Sequence, residues 1–180
     1  NAAARMQVVD MARMVYRNRK GYAQLTYLFD SAQINFPHRL LYAEWSLRAG
    51  NPEKARKVMQ EAQVMYPFYL PEAQPLNARS WMAAKQYAKA IPLFREVANR
   101  QQQDAGAWYS LARCYALAGN GSEALKVLET AIGKGFNYGF VLDADIAWAA
   151  YRKQSQWSVL LKKVKRREYP DVFKREERPG

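Results

Sequence analysis

The segment AWYSLARCYALAGNGSEALKVLETAI, residues 107–132, decides the fold because it holds two amphipathic helical patterns on either side of a glycine. Its apolar residues recur at three- and four-residue spacing as far as Tyr115, stop at Gly119 and resume at Ala124. A glycine between two such patterns is typical of a turn between helices. The segment therefore predicts a helical hairpin, with Asn120 as the cap of its second helix.

Small residues stand where each of these helices is expected to be most apolar, at Ala112 and Ala124. Alanines at these places allow two helix backbones to approach closely while larger neighbours fill the space on either side. The same residue type recurs upstream at steps of 34 and 35 residues, which indicates an internal repeat. The matching columns are Ala43, Ala78 and Ala112; Ala55, Ala90 and Ala124; Met59, Phe94 and Leu128; and Ala62, Val97 and Ala131.

This pattern resembles the tetratricopeptide repeat, a helix–turn–helix unit of about 34 residues. The resemblance implies an all-α fold, a right-handed superhelical solenoid of antiparallel helix hairpins, with a concave face that receives an extended peptide. The last full unit carries the resemblance best, at Trp108, Leu111, Ala112, Tyr115, Gly119, Ala124, Leu128 and Ala131.

Outside the three clear repeats at residues 36–136, the pattern weakens on both sides. Residues 1–35 are expected to form a degenerate first hairpin, and residues 137–167 a pair of capping helices. In that pair, VLDADIAWAAYRK is interpreted as one helix and QWSVLLKKVKRR as the other. Residues 168–180 have little apolar content and are expected to form a flexible tail.

The composition disfavours several classes of protein. Net charge is +12, but it divides as +4 over residues 1–50, +2 over 51–151 and +6 over 152–180. The nearly neutral middle disfavours a nucleic-acid groove along the whole chain. No window approaches 18 uncharged apolar residues, so we expect no transmembrane segment and a soluble protein, either cytoplasmic or periplasmic. Because the chain begins with Asn1, we expect a processed form or a piece of something longer.

No catalytic, metal or cofactor site is expected. The chain has one cysteine and one histidine, Cys114 and His38, which are too few for a histidine-based metal cluster. Cys114 is interpreted as a small buried apolar group. Asp143 and Asp145 are two residues apart, so they do not share a helix face, and helix capping is the favoured role for them.

The resemblance implies a peptide-binding set on the first helix of each hairpin. The family's ninth repeat position corresponds to Glu44, Arg79 and Arg113, with Arg13 as a less regular fourth. Guanidinium groups bind carboxylates through paired hydrogen bonds, so an acidic peptide is the favoured ligand; the alternative is an ordinary solvated helix face. The remaining candidates lie one helical turn further along or beside the arginines: Arg48, Arg17, Tyr109 and Met82.

The basic run KKVKRR, residues 162–167, has two interpretations. Cations near the C-terminus of a helix complement its dipole and keep a capping helix in solvent, and this is the favoured role. The alternative is a patch for an anionic partner, RNA or a membrane surface, formed by Lys162, Lys163, Lys165, Arg166 and Arg167.

Three functions follow from the sequence, in order of preference. The first is a non-catalytic scaffold that binds an extended or helical acidic segment of a protein in the concave groove. The second is an accessory module of a larger enzyme or secretion assembly. The third is a helical repeat that binds RNA, which the neutral middle of the chain disfavours.

Overall fold

The computed structural model describes residues 36–164, with every side chain except those of residues 36–38, 69, 70 and 72. This part of the chain contains eight α-helices and no strand, as the all-α prediction requires. The chain forms two compact units, Asn1–Leu93 and Phe94–Gly180. The first hairpin and the flexible tail predicted for residues 1–35 and 168–180 lie outside the described residues, and the predicted domain bounds stay predictions.

Three helices build the described part of the first unit: α1 (Phe36–Arg48), α2 (Pro52–Met65) and α3 (Leu70–Ala83). Helix α2 packs against both α1 and α3, and α1 also contacts α3. A short 3-10 helix, Pro67–Tyr69, joins α2 to α3. A fourth helix, α4 (Tyr87–Arg100), starts in this unit and continues into the second one. The buried core includes Tyr42, Ala43, Ala55, Met59, Ala62, Ala73 and Leu76.

The turns of the first unit follow from their residues. Gly50 ends the α1 turn at φ +79°, a conformation that glycine adopts without steric cost. Asn51 then accepts a hydrogen bond from the backbone N–H of Lys54 at 3.0 Å, and Pro52 occupies the first turn of α2. Lys85 takes the place of the glycine in the next turn and adopts φ +58°. The turn geometry thus persists where the glycine does not.

The second unit contains the hairpin predicted from residues 107–132. Helix α5 (Ala105–Leu117) packs along α6 (Gly121–Gly133), and Asn120 caps α6 by accepting a hydrogen bond from the Glu123 N–H at 3.4 Å. Both the hairpin and its cap are therefore confirmed. Two shorter helices follow, α7 (Gly139–Ala144) and α8 (Ser155–Lys163), and α8 contacts α6.

The alanine columns that define the repeat are fully buried. The six alanines predicted at the helix crossings have no exposed surface: Ala43, Ala55, Ala78, Ala90, Ala112 and Ala124. The larger residues of the neighbouring column, Met59, Phe94 and Leu128, are at most 2% exposed. Small and large side chains therefore alternate in the core as the repeat predicts.

The prediction that VLDADIAWAAYRK forms one helix is wrong. Helix α7 ends at Ala144, Asp145 has an extended backbone with ψ 119°, and a 3-10 helix follows at Ile146–Trp148. The break occurs because the Asp145 carboxylate accepts a hydrogen bond from the Ala147 N–H at 3.1 Å and caps this turn. The capping role predicted for Asp145 is thus confirmed, whereas the regular helix around it is not.

Candidate functional site

The first unit brings two predicted site residues together across neighbouring hairpins. Glu44 on α1 accepts two hydrogen bonds from Arg79 on α3, 2.5 Å from Nη1 to Oε2 and 3.1 Å from Nη2 to Oε1. The residues are 35 positions apart, one repeat step, and α1 and α3 are the first helices of consecutive hairpins. The paired geometry is the one in which a guanidinium binds a carboxylate most strongly.

Arg48 joins the same carboxylate from one turn further along α1. Its Nε donates to Glu44 Oε1 at 2.9 Å, and its guanidinium lies 5.7 Å from the centre of the Trp45 ring. We call these three residues, Glu44, Arg48 and Arg79, the arginine cluster. The cluster contains two cations and one anion, so its net charge is positive.

The arginine cluster exposes its cations and shields its anion. The side chains of Arg48 and Arg79 are 51% and 45% exposed, whereas that of Glu44 is 22% exposed. Burial opposes ionisation of Glu44, but the bonds from Arg79 and then Arg48 outweigh it, and its pKa lies below the ordinary value. Met82, the predicted apolar neighbour, is half-buried in the last turn of α3.

In the second unit, the predicted residues Tyr109 and Arg113 lie one turn apart on α5 and meet Asp145. Arg113 Nε donates to Asp145 Oδ2 at 2.6 Å, and the Tyr109 hydroxyl donates to the same oxygen at 2.8 Å. Burial opposes ionisation of Asp145, but the bond from Arg113 leads the contributions that lower its pKa below the ordinary value.

The ring of Tyr109 is also covered. Phe136 stacks on it with ring centres 4.2 Å apart and planes 9° apart, and Trp148 Nε1 donates to its hydroxyl at 3.3 Å. Burial, and then its bond to Asp145, raise the pKa of Tyr109 above the ordinary value of a phenol. Tyr109 and Arg113 therefore hold the chain segment that follows α6.

The repeat pattern alone did not identify Asp145 as the partner of Arg113 and Tyr109. A usable signal was present, because an acidic residue stands 32 positions beyond Arg113, close to one repeat step. Glu44 and Arg79 show the same relation with the charges reversed. Opposite charges about one repeat step apart are thus a guide to contacts between successive elements of the repeat.

The basic run is described only in part. Lys162 and Lys163 lie in the last turn of α8, both exposed, and Lys163 forms an ion pair with Glu129 of α6. The other basic residues of the run lie outside the described residues, as do two of the predicted peptide-binding arginines. These residues are Lys165, Arg166, Arg167, Arg13 and Arg17.

Residues 36–164 contain neither a metal-ligand cluster nor a helix that could span a membrane. No group of three or more histidine, cysteine, aspartate or glutamate side chains in that range is placed to hold a metal ion. No helix of the same range is both long and apolar enough to cross a membrane. Cys114 is fully buried, as predicted, and burial raises the pKa of its thiol to about 11.

Comparison with known proteins places the repeat in a family. Residues 82–138 match the model of the tetratricopeptide repeat. No curated protein sequence matches the chain. The solved structure described as MamA MSR-1 C2 is similar, with a TM-score of 0.63 and 16% identity over 89% of this chain and 91% of that one.

A second similar structure, described as the MamA RS-1 ArsTM double mutant, has a TM-score of 0.65 and 14% identity, and the match covers 91% of this chain and 93% of that one. At such identities the likeness shows the fold alone, an all-α solenoid of the tetratricopeptide type. Together with the family match and the buried alanine columns, it confirms the resemblance found in the sequence. Residues 82–138 therefore match the tetratricopeptide repeat, and the chain has an all-α fold similar to that of the two solved structures.

Proposed function

We propose that the chain is a non-catalytic scaffold that binds an acidic segment of a partner protein at the arginine cluster of Glu44, Arg48 and Arg79. The observation that carries the proposal is that two half-exposed guanidinium groups, from successive hairpins, converge on one shielded carboxylate. Such a cluster is net positive and open to solvent on its cationic side. An incoming carboxylate therefore finds charge of the opposite sign.

Arg79 retains donors for a ligand. A guanidinium carries five N–H donors in a fixed fork, and the hydrogen bonds to Glu44 use two of those of Arg79. Because Glu44 holds the guanidinium in place, less side-chain freedom is lost when a ligand binds. Glu44 thus supports ligand binding by orienting Arg79, even though it shares the sign of the ligand.

Arg113 and Tyr109 take a different place in this proposal. Both are engaged by Asp145 within the second unit, so we assign to them the positioning of the segment after α6. The interpretation that Arg79 and Arg113 act together on one ligand stays a prediction.

The test is binding of fluorescent peptides that carry glutamates at varied spacing, with glutamine counterparts as probes of charge. Arg79→Gln and Arg48→Gln are each expected to weaken binding of the acidic peptides about three- to tenfold, since a hydrogen bond to a charged group contributes roughly 1.5–3 kcal/mol when shielded and less at half-exposed side chains such as these. Lys57→Gln on α2 is the control, because it removes the same charge from an exposed position outside the cluster. We expect binding to this control to equal that of the wild type.

Two outcomes contradict the proposal. Equal weakening by Lys57→Gln and Arg79→Gln would mean that binding depends on net charge alone. Partner capture that disappears after nuclease treatment, with a steep dependence on salt, would favour the RNA-binding alternative. Circular dichroism of each variant measures its helix content and so distinguishes a folding defect from a binding defect.

A further inference from the structure

We propose that the groove between α6 and α8 is a second docking site, which takes an acidic amphipathic helix from a partner protein. The groove lies entirely in the second unit, and the proposal is therefore independent of the arginine cluster. Its volume is about 390 Å³, within the range of cavities that bind ligands. The lining residues are Ser122, Leu125, Lys126, Glu129, Ser155, Gln156, Val159, Leu160 and Lys163.

The geometry of the groove suits a short helix. Its lining residues fall at helical spacing on both walls, and Glu129 and Lys163 form an ion pair across it. On α6 the lining extends over seven residue steps, from Ser122 to Glu129, which corresponds to about 10 Å or two turns of a docked helix.

The floor of the groove is apolar and partly uncovered. Leu125 and Leu160 are buried beneath it, while Val159 is 52% exposed on its wall. An exposed branched aliphatic side chain beside a concave apolar floor offers a site for leucine or methionine side chains at positions i, i+3 and i+4 of a partner helix.

The rim of the groove selects the charge of its occupant. Glu129 is neutralised by its ion pair with Lys163. Lys126 is exposed on the rim and, among the described residues, forms no ion pair. The rim is thus net positive, and acidic residues flanking the apolar positions of a partner helix complement it.

The same features disfavour other occupants. The lining contains no aromatic side chain on which a nucleotide base can stack. A second copy of the chain presenting its own α6–α8 groove brings like charges together. Binding to a bilayer requires apolar side chains that protrude from the surface, whereas the apolar floor of this groove is recessed below its charged rim. An acidic helix of another protein is the occupant that fits both the floor and the rim.

The experiment uses the full chain and a designed fluorescent peptide of about 14 residues, with leucines on one helical face and glutamates on the other. Binding is followed by fluorescence anisotropy, and the methyl signals of Val159, Leu125 and Leu160 by NMR. Val159→Glu is expected to weaken binding at least about tenfold, because it places a like charge on the apolar wall. Val64→Glu is the matched control: Val64 is 84% exposed on α2, far from the groove in sequence, and binding should be unchanged.

A peptide with lysine in place of every glutamate is expected to bind at least about tenfold more weakly, and Lys126→Glu should weaken binding of the acidic peptide. Perturbed methyl signals confined to the groove support the proposal. Three results overturn it: equal binding by Val159→Glu and wild type, equal binding of the acidic and basic peptides, or displacement of the peptide by oligouridine or phosphatidylserine vesicles. The experiments test the groove proposal and the arginine-cluster proposal independently, because Arg79→Gln leaves the groove intact and Val159→Glu leaves the cluster intact.

Discussion

At the scale of single residues, one carboxylate organises the end of the repeat array. Asp145 accepts bonds from Arg113 and Tyr109 of α5 and from the backbone of Ala147. Its side chain is only 11% exposed, so each of these donors replaces water that the folded carboxylate has lost. Removal of a donor leaves a mostly buried negative charge incompletely satisfied.

We expect Arg113→Gln to lower the free energy of unfolding by about 2 kcal/mol, because an incompletely paired buried charge costs more than the pair itself contributes. The measurement is urea denaturation of the full chain. Arg100→Gln is the control, since its 3.8 Å ion pair with Glu96 is on the surface and should contribute less than about 1 kcal/mol. Equal losses in the two variants would show that Asp145 is satisfied without Arg113.

The stabilisation that the Arg113–Asp145 ion pair contributes depends on pH, and the sign of this dependence follows from the lowered pKa of Asp145. The pKa lies below the ordinary value of 3.8, so the stabilisation is complete above about pH 4 and is lost as the pH falls through the pKa of the folded state. The difference in stability between the wild type and Arg113→Gln should therefore narrow in acid. A difference that stays constant from neutral to acid pH would contradict this assignment.

At the scale of the helix and the hairpin, packing is governed by the buried alanines. Ala112 on α5 and Ala124 on α6 have no exposed surface, and the two helices pack along most of their length. A close-packed crossing has no room for additional methylene groups without displacing a backbone or a neighbouring side chain. The small residues thus define both the register and the spacing of the hairpin.

Ala112→Leu and Ala124→Leu are each expected to destabilise the protein by roughly 1–3 kcal/mol through overpacking. Thermal unfolding monitored by circular dichroism measures the effect. Ala88→Leu provides a matched substitution at an exposed position of α4, where the midpoint should change little. Unchanged midpoints for both buried variants would mean that these alanines do not mark a tight crossing.

Periodicity predicted the α5–α6 hairpin because its helices are set by local patterns and caps, such as Asn120. It failed for residues 141–153, where the Asp145 carboxylate caps a 3-10 turn and is also bound by Arg113 and Tyr109, which lie more than 30 positions away. The steps of 34 and 35 residues also place Lys85 in the column of the turn glycines Gly50 and Gly119, and its left-handed backbone agrees with that place, although lysine itself carries no local preference for this conformation. Tertiary contacts therefore decide the structure where the repeat pattern weakens.

At the scale of the whole molecule, the ends of the chain differ from its middle. Net charge is +2 over residues 51–151, against +4 before and +6 after. Repeat arrays need a final element that covers the apolar face of the last hairpin. Helix α8 packs against α6 with Trp157 and Leu160 buried, and we predict that it is this element. It is apolar where it packs and carries Lys162 and Lys163 on its exposed side.

Removal of residues 154–180 is expected to expose the apolar face of α6 and to promote self-association, whereas removal of 168–180 alone should have little effect. Light scattering at increasing protein concentration distinguishes the two truncations. If both behave as the full chain does, α8 has no capping role.

The candidate site could be predicted from the sequence only in part. The repeat step correctly placed Glu44 and Arg79 at equivalent positions, and the structure brings them into direct contact. That contact was not predicted, because it depends on the reach of a long arginine side chain between helices. No sequence pattern indicated the α6–α8 groove. Its walls come from two helices, and which of their residues face each other depends on how α8 packs against α6.

Because Cys114 is buried, chemical labelling of its thiol can be used to follow opening of the α5–α6 hairpin. The sequence contains a single cysteine, its thiol has no exposed surface within α5, and its pKa of about 11 leaves almost no thiolate at neutral pH. A thiol-reactive reagent therefore modifies the folded protein only after α5 separates from its neighbours. At reagent concentrations where labelling is faster than reclosing, the labelling rate therefore equals the rate of that separation, a kinetic quantity that melting curves do not contain.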